Sequence, residues 1–284
     1  MEFDVVIPAH EKDKEILVYC IKQARKKIVG IRRIIVISKE RYTNLAEWYG
    51  EAQFPFSFSE ISALTNGKDV GWHYQQFLKF YAPLVIENIT ENVLILDSDT
   101  VFFKKARMLG KEGEALFNLC KEVNKDCNSF DLNIADHIKN LYPEISMDKL
   151  PEEYWSKSAV CHHMMFNRVI LEDMFSRIEK YHLETHGVAK KFYELAMSSY
   201  KGKGVMELSE YQIYFNFMFL FFRSKMNVRK LKFKNCADDN IWYYYFHPKY
   251  YYCSFHYYLR GSKTQGKYHI FKSFFKGMFS GHTF

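Results

Sequence analysis

No two cysteines in this 284-residue chain stand in a Cys-x-x-Cys spacing. Cys20, Cys120, Cys127, Cys161, Cys236 and Cys253 are scattered, so the sequence predicts reduced, mostly buried thiols rather than a disulfide framework or a zinc knuckle. The glycine-rich phosphate loops are also missing. Neither Gly-x-Gly-x-x-Gly nor Gly-x-x-x-x-Gly-Lys-Ser/Thr occurs, which removes the signals for a dinucleotide fingerprint and a P-loop. There is no internal repeat and no low-complexity stretch. The longest apolar run, around Tyr211 to Phe222, is interrupted by Gln212 and Asn216 and is too short to span a bilayer. The acidic start, Met1-Glu2-Phe3-Asp4, runs straight into an apolar segment, and no signal peptide is expected.

The chain is rich in aromatics, with 26 Phe and 21 Tyr, and its formal charge is +7. A moderate positive balance suits anionic partners such as phosphates, nucleotides or membrane lipid. It does not single out nucleic acid, and none is expected as a partner.

The strongest local signal is Val93-Leu94-Ile95-Leu96-Asp97-Ser98-Asp99-Thr100-Val101. Four consecutive aliphatic residues read as a strand buried on both faces of a parallel sheet. Such a strand delivers Asp97 and Asp99 to its C-terminal end, where open α/β sheets bind ligands. Two carboxylates this close repel unless a cation, a proton or a basic group intervenes. The plainer reading is a solvated Asp-Ser-Asp turn. Chemically the triplet has two readings. It can clamp a divalent cation on a diphosphate, or its first carboxylate can be a phosphatase nucleophile of the haloacid-dehalogenase type. The latter motif usually sits on the first strand of its domain, whereas here a β-α-β unit precedes it.

That unit is read from Phe3 to Ile7 as a first strand, stopped at Pro8-Ala9-His10, a helix from Lys14 to Lys27, and a second strand over Ile34 to Ile37. A short helix is expected near Leu45 to Tyr49 and an irregular strand over Phe54 to Ile61. A helix from Trp72 to Glu87 puts Gln75 and Lys79, four residues apart, on one side. Further helices are expected near Gly113 to Asn124, Leu132 to Leu141, Val169 to Lys180 and Ala189 to Ser199. A buried helix over Tyr211 to Phe222 follows, with Ser209 as N-cap. Val160 to Phe166, Val228 to Lys234 and Tyr251 to Phe255 read as strands.

Taken in order, Gly71-Trp72-His73-Tyr74-Gln75-Gln76-Phe77-Leu78-Lys79, Asp97-Ser98-Asp99, His162-His163-Met164-Met165-Phe166-Asn167, Ser209-Glu210-Tyr211 and Ser254-Phe255-His256 cover most of the chain. This ordered set resembles GT-A-type nucleotide-sugar glycosyltransferases, in particular a bacterial group with a Gly-Trp-x-x-Gln-Gln-x-x-Lys helix before the Asp-x-Asp motif. The resemblance implies an α/β GT-A fold, with a mixed Rossmann-like central sheet flanked by helices, over residues 1–284. A nucleotide-sugar half would cover 1–105, an acceptor half 106–265, and a basic-aromatic tail 266–284.

It also implies site roles. Pro8, Ala9 and His10 would border the nucleotide, and Gln75 and Lys79 would face the donor. Asp97, Asp99 and His256 would hold Mn²⁺ or Mg²⁺, with His247 as a rival to His256. Glu210, at a helix start where a carboxylate is favoured, would be the general base, or a sugar contact if the enzyme retains configuration. Gln76, His162 and His163 would touch substrate, and alternation lets only one of the two histidines face the site. The donor would be a nucleotide-diphosphate sugar and the acceptor a glycan or lipid-linked glycan. Lys267, Lys272 and Lys276 among several Phe resemble an interfacial membrane segment. The expected location is therefore cytoplasmic, at the inner face of the membrane if the tail binds lipid. A non-catalytic, membrane-associated glycan-binding protein is the remaining alternative.

Overall fold

A computed structural model describes residues 1–121, 128–155, 157–202, 207–236, 241–246 and 249–256. The basic-aromatic tail, His247 and Cys127 lie outside the described residues.

The centre is a five-stranded sheet of mixed sense. Its order is His163–Asn167, Asn92–Leu96, Phe3–Pro8, Ile31–Ser38, Glu47–Gly50. The last four strands run parallel, and His163–Asn167 pairs antiparallel with Asn92–Leu96. Val5, Val6 and Ile7 in one inner strand and Val93 to Leu96 in the next are completely buried, which is why both are continuous apolar runs rather than alternating ones. Parallel strands need crossovers, and the first is the Lys14–Lys27 helix. It buries Ile16, Leu17, Cys20, Ile21 and Ala24, all on one face. The α/β architecture with a central, mostly parallel sheet flanked by helices agrees with the expectation from sequence.

Four segments differ from their predicted form. Glu47–Gly50 is an edge strand, not a helix; it is too short to nucleate a helix alone, and pairing with Ile35 to Ser38 decides its state. Phe58–Leu64 is a helix where an irregular strand was expected. Its start is a capping box, with the Ser57 hydroxyl accepting from the Glu60 amide and the Glu60 carboxylate from the Ser57 amide. Ala115–Asn118 is a strand, not a helix, and runs parallel to Met226–Arg229. The expected Val228 to Lys234 strand is two strands, Met226–Arg229 and Phe233–Asn235.

Aromatic packing fixes the helices that carry the site. The Val70–Val85 helix contributes Phe77, Phe80 and Tyr81 to the core. Phe80 meets Phe166, Phe175 and Phe192, and Phe175 stacks on Phe192 at a centroid distance of 4.0 Å. Burying a side chain of this size contributes roughly 1.5–3 kcal/mol. The Glu210–Phe221 helix is buried through Met218, as its apolar circumference requires.

Candidate functional site

The Asn92–Leu96 strand ends at Leu96, and the chain turns through Asp97-Ser98-Asp99 into the short strand Thr100–Phe102. That strand belongs to a second, three-stranded sheet with Tyr252–Ser254 and Phe233–Asn235. Its register pairs Ser254 with Thr100 and Asn235 with Ser254. The turn is thereby edged by residues from the far end of the chain. The Phe255 amide donates to the Asp99 carbonyl at 3.0 Å. The Ser254 hydroxyl donates to Asp99 Oδ1 at 2.7 Å, and His256 Nδ1 lies 3.1 Å from Asp99 Oδ2.

Asp97 points to other partners. Lys79 Nζ is 2.6 Å from its Oδ1, the Tyr211 hydroxyl donates to the same oxygen at 3.0 Å, and His162 Nδ1 is 3.3 Å from Oδ2. Lys79 also reaches Glu210 Oε1 at 2.7 Å. The Glu210 amide donates to Gln76 Oε1 at 3.2 Å, tying the start of the Glu210–Phe221 helix to the Val70–Val85 helix. Ser209 caps the former, its hydroxyl accepting from the Gln212 amide. Gln76 and Lys79 share one helix side, a turn apart, and both are almost fully buried at 2% and 3% exposure.

Charge balance at this point is unequal. Asp97 and Glu210 share a single lysine, Lys79. Burial opposes ionisation of Asp97, yet Lys79 and His162 hold its carboxyl well below the usual carboxylate range. Burial likewise opposes Asp99, and His256 outweighs it, keeping that carboxyl low. Glu210 goes the other way. Burial raises it, Lys79 offsets this only in part, and Asp97 adds repulsion. One ammonium cannot fully compensate two carboxylates, and the shorter contact goes to Asp97. Burial disfavours the Lys79 and His162 cations, but the Asp97 carboxylate outweighs it and raises both.

All these groups line one open cleft of about 2320 Å³, together with Pro8, Ala9, His10 and Gln75. Pro8 and Ala9 form the C-terminal end of the innermost strand, and His10 is exposed at its rim, Nδ1 accepting from the Lys12 amide. Of the two adjacent histidines only His162 lines the cleft, and its Nε2 meets Asn235 Oδ1 at 2.9 Å. His163 turns into the core between Phe102 and Tyr252, where burial lowers its pKa to about 3. It is placed as a packing residue.

Tyr211, Ser254 and Asn235 hold the carboxylates or His162, but had no assigned role in the sequence reading. Tyr211 and Ser254 lay beside assigned residues; Asn235 carried no local signal. The expected divalent cation has a partial donor set. His256 Nδ1 and Asp99 Oδ2 contact each other at 3.1 Å, and a cation would take the place of that contact. Both oxygens of Asp97 are engaged by protein groups. Among the described residues, no three His, Cys, Asp or Glu side chains are arranged to hold an ion.

No family model matches this chain. No curated protein matches it either. Solved structures resemble it in part. The mannosyltransferase Ktr4p from S. cerevisiae is 10% identical, with a TM-score of 0.48 over 80% of this chain and 68% of that one. Mouse xyloside xylosyltransferase 1, in its apo form, is 8% identical, with a TM-score of 0.43 over 92% of this chain and 99% of that one. Likeness at this level says nothing of chemistry, which has to be read from this chain's own residues.

Proposed function

We propose that the protein is a metal-dependent glycosyltransferase of the GT-A type, moving a sugar from a nucleotide-diphosphate sugar to a glycan or lipid-linked glycan. The observation that carries this reading is the convergence of Lys79, Asp97, Asp99, His162, Glu210 and His256 from five separate segments onto one cleft at the carboxyl ends of the sheet strands. Ligands of open α/β sheets bind at that edge. The ordered motifs that resemble the bacterial Gly-Trp-x-x-Gln-Gln-x-x-Lys group supply the residues.

In this reading Pro8, Ala9 and His10 border the nucleotide, and Gln75 with His162 contacts the donor or acceptor sugar. Asp99 and His256 would hold Mn²⁺ or Mg²⁺, with Asp97 beside them. When bound, the cation offsets charge on the diphosphate leaving group. Lys79 fixes Asp97 and Glu210 relative to each other. Glu210 is the group able to take a proton, because its affinity for one is raised. When it does so, Lys79 remains paired with Asp97, so no buried charge is stranded. Tyr211 and Ser254 orient the two aspartates.

The reading places the protein in the cytoplasm, at the inner membrane face if the tail contacts lipid. The test is release of nucleoside diphosphate from nucleotide sugars with Mn²⁺ present. The Asp97→Ala/Asp99→Ala protein should lose that activity, and full activity in it sinks the proposal.

A further inference from the structure

Two thiols stand together in the wall of the cleft. Cys120, in the Cys120–Lys121 strand, pairs directly with Ser158 of Lys157–Ser158. Cys161 follows three residues later. Both sulfurs approach the Ser158 carbonyl, at 3.4 Å for Cys120 and 3.8 Å for Cys161. Each thiol lies close enough to the other to alter its acidity. Their surroundings differ. Cys120 is half-buried and lines the cleft, whereas Cys161 is wholly buried. The neighbouring Cys161 side chain, against burial, brings the Cys120 thiol down to about 7. Burial, reinforced by Cys120, pushes Cys161 up. One sulfur is therefore accessible and readily a thiolate, and its neighbour keeps its proton. That is the division between an attacking and a resolving thiol.

We propose that Cys120 and Cys161 form a reversible, peroxide-sensitive disulfide site in the cleft wall. The Cys120 thiolate attacks a peroxide oxygen, the O–O bond breaks, and hydroxide leaves to become water once protonated. Cys120 is now a sulfenic acid. The Cys161 sulfur attacks it, the S–S bond forms, the S–O bond breaks, and a second water leaves with the Cys161 proton. Two thiols are oxidised and one hydrogen peroxide is reduced to two waters. A dithiol reverses the change by thiol–disulfide exchange.

The site is coupled to the carboxylates through one peptide bond. Cys161 precedes His162, whose φ is +64° and whose ring spans Asp97 and Asn235. The Cys161 carbonyl also accepts from the Tyr252 hydroxyl at 2.9 Å and faces His163 Nδ1 at 3.0 Å. Drawing Cys161 toward Cys120 shifts His162 off Asp97. Resting on the glycosyltransferase reading, the oxidised protein binds its donor less tightly.

The experiment treats the full chain with one equivalent of hydrogen peroxide, alkylates the remaining thiols and maps peptides by mass spectrometry. The expected result is one linked pair, Cys120 with Cys161, that dithiothreitol separates. Cys120→Ser should leave Cys161 alkylated, and Cys161→Ser should leave Cys120 as a sulfenic acid trapped by dimedone. Alkylation of both cysteines in the treated wild type, or linkage of Cys120 to Cys127 instead, overturns the site. Donor-induced thermal stabilisation should fall at least severalfold on oxidation of the wild type and stay unchanged on treatment of Cys120→Ser. A mapped disulfide with no such fall overturns the coupling to His162. If the reduced wild type shows no donor response, the glycosyltransferase reading fails while the mapped disulfide stands.

Discussion

Lys79 Nζ lies 2.7 Å from Glu210 Oε1, although the two residues are 131 positions apart in the chain. The same ammonium is 2.6 Å from Asp97. The three groups form a buried ion cluster with more negative than positive charge, and much of the site's behaviour follows from it.

Removing the cation should be costly. Lys79→Met leaves the buried Glu210 and the half-buried Asp97 without the ammonium they share, and breaking a buried pair costs about 3–5 kcal/mol. Urea unfolding should show a loss of that size. Adding Glu210→Gln to Lys79→Met should restore part of it, since one stranded charge is gone while Asp97 remains. Lys79→Met alone within about 1 kcal/mol of wild type would contradict a buried pair of this kind.

Stability should fall on both sides of neutrality, for opposite reasons. Asp97 and Asp99 have depressed pKa values in the fold. Their contribution is present above the ordinary value of 3.8 and is lost as pH falls below it toward the depressed values. Lys79 is raised, so its contribution is full below its ordinary 10.5 and is lost only as pH rises beyond that. His162 is raised as well, and its contribution is full below 6.5 and fades as pH climbs through its raised value. Unfolding free energies across pH should show these limbs, and Asp97→Asn should flatten the acid one.

The helix cap positions the proposed base. Ser209→Ala removes the bond to the Gln212 amide and should cost about 1 kcal/mol. Because Glu210 is the next residue, the rate of transfer should drop as well. The control is Ser57→Ala, at the capping box of Phe58–Leu64, which should cost similar stability without moving Glu210. Equal effects on rate from both changes would contradict the positioning role.

The adjacent histidines should behave differently. His162→Ala removes a hydrogen bond to the charged Asp97, should cost about 1.5–3 kcal/mol of stability, and should weaken donor binding. His163→Leu replaces a neutral, packed ring and should leave donor binding unchanged while altering stability. Calorimetric titration of both variants with the same donor checks this.

Much of this fold is legible in the sequence because its inner strands are continuous aliphatic runs and its first helix has a clear apolar face. Periodicity placed Phe3–Pro8, Lys14–Lys27 and Asn92–Leu96 to within a residue or so. It failed at Glu47–Gly50 and Ala115–Asn118, whose state is set by partner strands rather than by local pattern. Phe58–Leu64 carries a capping box at Ser57 and Glu60 that the strand expectation for Phe54 to Ile61 did not use. The Asp-x-Asp turn and the alternation of His162 and His163 were local signals. The Lys79 bridge, the Asn235 contact and the Cys120–Cys161 pair were not, since each joins segments that only the folded chain brings together.

The most direct measurement is thermal unfolding of the full chain against a panel of nucleotide sugars, each with and without Mn²⁺. One donor should stabilise the protein by about 2.7 kcal/mol at a free concentration of about 100 times its Kd. That gain should require Mn²⁺ and should vanish in Asp99→Asn. Stabilisation by no nucleotide sugar, or stabilisation indifferent to both Mn²⁺ and Asp99, would contradict a metal-dependent glycosyltransferase site.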